Sequence, residues 1–204
     1  MKLGNIPAVF HDIDTNGIGY VEVMFDLSGI PEEKLPYVGI LQSVLGIIDT
    51  ENYEYGELFN EINMHTGGIG TSLELYNDVT HIREKEFKAT FEIKAKALYS
   101  QMPVAFSMMG EILTASKLND TARIREILAM LKSRLLMKFQ SSGHTTAALR
   151  ALSYASPSAK LKDYDKRNRI LSDSGGDRRT FERKRKLFPR NFKIWQDRFS
   201  GQII

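Results

Sequence analysis

An α+β domain, an antiparallel sheet with helices packed on one face, is the fold class this sequence predicts. Three observations carry it. The hydrophobic period switches from two to about 3.6 and back along the chain. The elements run hairpin, two helices, hairpin, two helices, rather than as the regular strand–helix alternation of a wound parallel sheet. One long segment, residues 87–97, alternates apolar residues with Lys88, Thr90, Glu92, Lys94 and Lys96, the mark of a sheet with one wet face.

The first strand lies in TNGIGYVEVMFDLSG, where Val21, Val23, Phe25 and Leu27 share one face and Tyr20, Glu22, Met24 and Asp26 the other. Asn16-Gly17 before it is a hairpin-turn dipeptide. Pro31 suits a first helical turn, Glu32 and Glu33 suit the positive end of a helix dipole, and Val38, Leu41, Leu45 and Ile48 recur at helical spacing. A second stripe, Tyr55, Leu58, Phe59 and Ile62, predicts a helix closed at Thr66-Gly67-Gly68 by a glycine in the left-handed conformation. Strands over about 69–76 and 87–97 follow. After Pro103 a helix carries Phe106, Met109, Ile112 and Leu113. Asn119-Asp120 then caps a long helix through Ile124, Ile127, Leu128, Leu131 and Leu135, expected to reach Tyr154 with a break near Gly143 and to stop at Ser156-Pro157.

At 204 residues the chain suits one domain, or one domain with an appendage. It holds no apolar run long enough to span a bilayer and no secretory or import leader is legible, so a cytoplasmic location is expected. The absence of cysteine excludes disulfides, thiolate metal sites and cysteine nucleophiles. Charge divides the chain. From Lys160 onward there are 14 Lys/Arg against 6 Asp/Glu, a net of +8, which leaves 14 against 19, a net of −5, for the rest.

HTGGIGTSLELY, residues 65–76, invites three readings: a phosphate cradle, part of a metal centre, or a helix-to-strand turn. A phosphate loop sets its glycines between a strand and a helix N-terminus; here Gly67, Gly68 and Gly70 follow a helix and no Gly-Lys-Ser/Thr comes after them. For a metal, His11, His65, His81 and His144 are far apart, and Glu61 with His65 forms only one i, i+4 pair. No nucleophile elbow or assignable triad is present. In the tail, Phe188, Phe192, Trp195 and Phe199 form a helical stripe backed by Arg190, Lys193, Gln196 and Arg198. Such a stripe suits docking on the chain's own sheet, on another subunit or on a membrane surface, plain disorder of the tail is the alternative, and its mixture of basic and aromatic residues also suits nucleic acid.

TNGIGYVEVMFDLSGIPEEKLPYVGILQSVLG and DTENYEYGELFNEINMHTGGIGTSLELY resemble the start of the C-terminal half of the presequence-protease and falcilysin branch of the insulinase (pitrilysin) zinc metallopeptidases. SMMGEILTASKLNDTARIREILAMLKSRLL and ALSYASPSAK extend the similarity over residues 4–160, leaving 161–204 as a basic, aromatic-containing tail. The resemblance implies two clamshell halves around an unfolded peptide, with zinc and the general base held by a His-x-x-Glu-His motif in the N-terminal half only. Aligned on the shared Thr and the downstream Gly-Gly, the three motif positions fall here on Ile40, Ser43 and Val44, so the resemblance implies no catalytic, cofactor or metal residue in this chain. It also implies that Thr66-Gly67-Gly68 is architecture. The implied partners are the zinc-bearing catalytic half and a peptide substrate, with self-association expected where domain-facing surfaces are bare. From about Asp163 the similarity stops, and a truncated or frame-shifted gene, or a divergent standalone protein, is the expectation there. A small interaction protein binding nucleic acid or another polyanion through the tail is the competing function.

Overall fold

The computed structural model describes residues 2–3, 6–31, 34–77 and 87–165. Its centre is a three-stranded antiparallel sheet ordered β3-β5-β4, built from β3 (Ile18–Asp26), β4 (Ile69–Asn77) and β5 (Phe87–Leu98). A small separate hairpin joins β1 (Lys2–Leu3) to β2 (Ile6–Pro7). The helices are α1 (Leu35–Val44), α2 (Tyr55–His65), α3 (Met102–Thr114), α4 (Thr121–Leu152) and α5 (Pro157–Asp165).

β5, the longest strand at 12 residues, lies in the middle and pairs along its length with both nine-residue neighbours. Phe91 lies opposite Phe25 of β3 and Leu73 of β4. On this side Phe91, Ile93, Ala95 and Ala97 join Phe25, Val38, Leu41, Val44, Leu58, Met109, Ile112, Ile127 and Leu131 in one core. α3 packs on β5 and α1 on β4. The predicted one-sided α+β arrangement is therefore what forms.

Several local expectations shift. Asn16-Gly17 does form the tight turn, with φ of 53° and 81°, but it opens β3 rather than joining two sheet strands. β3 pairs instead with the distant β5, and the turn is fastened there by the Tyr99 N–H donating to the Gly17 carbonyl at 3.0 Å. Helix α1 starts at Leu35, with Pro36 rather than Pro31 in its first turn, and ends before Leu45, so Ile48 is buried from the loop that follows. α2 closes without a left-handed residue at its end: Thr66 is extended and its hydroxyl donates to the Ile62 carbonyl at 2.6 Å. Gly68 carries the positive φ, 118°, while Gly67 is set by proximity, since a Cβ there would lie 2.9 Å from Lys96 Cγ. Asp120 caps α4 as expected, accepting from the Arg123 N–H at 2.9 Å, and the helical geometry breaks at Ser142, beside Gly143. The long helix stops before Ser156-Pro157, at Leu152, and Pro157 opens a further helix, α5, which runs across the expected boundary between residues 160 and 161. Its Asp163, 1% exposed, pairs with Arg150 of α4. The aromatic stripe Phe188 to Phe199, and His81, lie outside the described residues.

Candidate functional site

Ile40, Ser43 and Val44, the positions onto which the resemblance maps the zinc motif, sit on the inner face of α1. Val44 is fully buried and Ile40 nearly so, both within the hydrophobic core. Ser43 is buried beside them, and its hydroxyl donates to the Gly39 carbonyl at 2.8 Å. Two alkyl groups and a hydroxyl committed to the helix backbone offer a cation nothing, so these residues do not fit zinc. Glu61 and His65 do meet on α2, at 3.5 Å, as a partly exposed i, i+4 pair. Among the described residues no three His, Cys, Asp or Glu side chains converge as a ligand set. No described helix is long and apolar enough to cross a membrane.

The polar chemistry concentrates on the opposite face of the sheet, which no described helix covers. Across the three strands the registers bring together Glu22, Met24 and Asp26 of β3; Lys88, Thr90, Glu92 and Lys94 of β5; and Ser72, Glu74 and Tyr76 of β4. Lys94 Nζ lies 2.7 Å from Glu22 Oε1, 2.8 Å from Glu92 Oε2 and 4.0 Å from Glu74 Oε1. The Thr90 hydroxyl donates to Glu92 Oε1 at 2.6 Å. Glu92 is 0% exposed although its face is open, because the side chains around it close over it.

Burial would raise the Glu92 carboxyl, but hydrogen bonds from Glu22, Lys94, Thr90 and Tyr76 outweigh it and bring it down to about 2. Its neighbour Glu22 is held above the ordinary value, first by the hydrogen bond with Glu92, with Lys94 pulling the other way. Lys94 is raised by Glu22 and then Glu92. The Tyr76 phenol, hydrogen-bonded to Glu92, is pushed up to about 12. One ammonium thus occupies the centre where three carboxylates converge. The arrangement is a charge ladder that ties the three strands together in this register.

The sheet's two edges differ. Backbone groups alternate between facing a neighbour and facing away in an antiparallel ladder. The Leu27 N–H donating to Ala89 O fixes the phase for β3, so Tyr20, Glu22, Met24 and Asp26 direct theirs outward. On β4 the Lys96 N–H donating to Gly68 O sets the phase, so Thr71 faces outward, and α1 meets it. Gln42 Nε2 donates to the Thr71 carbonyl at 3.1 Å, and the Thr71 hydroxyl donates to the Gln42 carbonyl at 3.0 Å. One edge is met by a helix at Thr71; along the other no described residue bonds to the outward backbone groups.

Sequence reasoning located Ile40, Ser43 and Val44 on one helix but read the alternating face of β5 as simply wet. Glu22 and Asp26 facing a lysine-bearing strand were the available signal. Only the register shows which carboxylate meets which ammonium.

The comparisons with known proteins agree with this geometry. The family model described as Peptidase M-16C associated matches residues 1–165. Protein HypA of Clostridium perfringens is 36% identical over 154 residues, which cover 76% of this chain and 16% of that protein. The mitochondrial presequence proteases of Drosophila melanogaster and Yarrowia lipolytica are 28% and 27% identical, over 78% and 73% of this chain and 15% of each relative. An α+β domain matched by that family model over most of its length is a peptidase-associated domain. The chain belongs to that peptidase-associated family, within the presequence-protease-like branch of the insulinase-type metallopeptidases. It spans about one-sixth of the length of these relatives.

Proposed function

We propose that this chain is a zinc-free, non-catalytic domain of an insulinase-family peptidase, forming one wall of a chamber that encloses peptide substrate and packing against the zinc-bearing half. The single observation that carries this reading is the burial of Ile40, Ser43 and Val44 in the core of a chain of this family. Hydrolysis then falls to the partner half, and this domain contributes shape and backbone contacts. An extended peptide adds along a sheet edge, using main-chain hydrogen bonds.

The test mixes the chain with a separately produced zinc-bearing half of a relative such as Protein HypA and follows cleavage of a fluorogenic peptide. Cleavage should appear, or rise, only when both are present. Zinc bound one-to-one by the chain alone, with peptide cleavage abolished by a chelator, defeats the reading. The +8 charge from Lys160 onward favours one second reading, polyanion binding by the tail. That reading requires affinity for a nucleic acid to fall steeply as salt is raised.

A further inference from the structure

The outer edge of β3 has the composition of a selective strand-addition site. Its outward backbone groups come from Tyr20, Glu22, Met24 and Asp26, and no described residue hydrogen-bonds to them. The neighbouring Ile18 is already satisfied at both backbone groups by Thr15, which ends the open run at one side. Tyr20 and Met24 are 67% and 52% exposed, so nothing described shields this strip. At the opposite edge an incoming strand would have to displace Gln42 from Thr71.

Charge then selects the occupant. On the open face the acidic positions of β3, Glu22 and Asp26, have no cation on their own strand. Both are met from the inner side only, Glu22 by Lys94 and Asp26 by Lys88 at 3.3 Å. The β5 column beside them carries Lys88, Lys94 and Lys96 around a buried Glu92 that is already paired with Lys94, and the β4 column beyond it carries Glu74. Alternation across the sheet therefore calls for cations on the next strand out, opposite Glu22 and Asp26 and so four residues apart. On the other face the new strand would run beside half-buried Val21 and Val23 and buried Phe25, which calls for apolar residues between the cations.

We infer that the outer edge of β3 binds an extended peptide carrying Lys or Arg at positions four apart on one face and apolar residues on the other. This rests on the peptide-enclosing reading above and names the edge and the peptide chemistry it uses.

The test measures anisotropy of a labelled nine-residue peptide, with lysines four apart and valines at the alternate intervening positions, against the full 204-residue chain. Methylating the amides of the lysine-phase residues, which face β3, should weaken binding about tenfold, whereas methylating the valine-phase amides should change it less than about threefold. Asp26→Lys should weaken the lysine peptide, and a peptide with glutamate at the facing position should recover the loss. Equal effects of the two methylation sets, absence of binding, or failure of the charge swap to restore affinity each overturns the inference. So does a self-associated chain that Met24→Pro converts to monomer, because the edge then belongs to a second copy. Should Met24→Pro not fold, the methylated peptides on the unaltered chain still decide. If the wild-type chain raises cleavage by the zinc-bearing half and Asp26→Lys leaves that increase intact for the lysine peptide, the enclosing role stands and this edge assignment falls.

Discussion

Phe91 and Glu92 are neighbours on β5, each 0% exposed, and they are buried in different ways. Phe91 points into the layer of helices and meets Phe25 with ring centroids 6.3 Å apart. Glu92 points away from every described helix and is closed over by the polar side chains it binds. The first kind of burial is driven by removing apolar surface from water and persists at any salt or pH that keeps the fold. The second depends on partners remaining in the right charge state. Equal burial on the two faces of one strand thus means density on one side and electrostatic satisfaction on the other.

Four measurements break or sharpen this contrast. Phe91→Ala should cost about 3 to 5 kcal/mol in urea unfolding, with little dependence on salt. A loss below about 1 kcal/mol would mean that the core face is loosely packed. Lys94→Met strands Glu92 without its ammonium and should cost about 1 to 3 kcal/mol. That is less than for a pair sealed inside a core, because Lys94 is 43% exposed. The cost should shrink in high salt, and a salt-independent loss would show that packing rather than charge is at stake.

The third measurement uses pH. Tyr76 is raised from 10.0 to about 12 in the folded state, so its contribution is whole below pH 10 and is lost as pH climbs through about 12. Tyr76→Phe should flatten the alkaline part of the wild-type stability curve, and parallel curves would refute the link to Glu92. Glu92, lowered to about 2, acts with the opposite sign. Its contribution is present above the ordinary carboxylate value and fades as pH falls through about 2, opposed in part by Glu22, whose value is raised. The smallest effect belongs to Lys88→Ala. This residue is 62% exposed and paired with Asp26 at 3.3 Å, so thermal unfolding should register about 0.2 to 0.5 kcal/mol. A larger loss would extend the buried network to the rim of the sheet.

Much of the fold was legible because helices and strands announce themselves through spacings of two to four residues. The Leu58–Ile62 stripe and the Asp120 cap depend on local geometry and are found in place, while the alternation in β5 puts its apolar residues in the core but gives way to burial on both faces from Thr90 to Ile93. The character of two α1 positions was legible for a simpler reason: the side chains of Ile40 and Val44 are hydrocarbon whatever surrounds them. The first helical turn was misplaced because both Pro31 and Pro36 satisfy the same local rule, and Tyr55 and Phe59, read as part of a buried stripe, are exposed. Arg123 of α4 stacks on the Tyr55 ring at 4.2 Å, a contact no local pattern reveals.

By itself, then, the sequence determined the three sheet strands, the main helices and much of their apolar faces, and that the side chains of Ile40 and Val44 are hydrocarbon. Tertiary structure alone decided that β3 pairs with β5, that Glu92 is buried on the polar face, that Gln42 meets one sheet edge at Thr71, and that α5 packs on α4 and α1. The physical reason is range. Side-chain spacing acts within a turn or a pleat, whereas register, edge exposure and cross-strand charge matching are settled only when segments distant in the chain compete for the same neighbours.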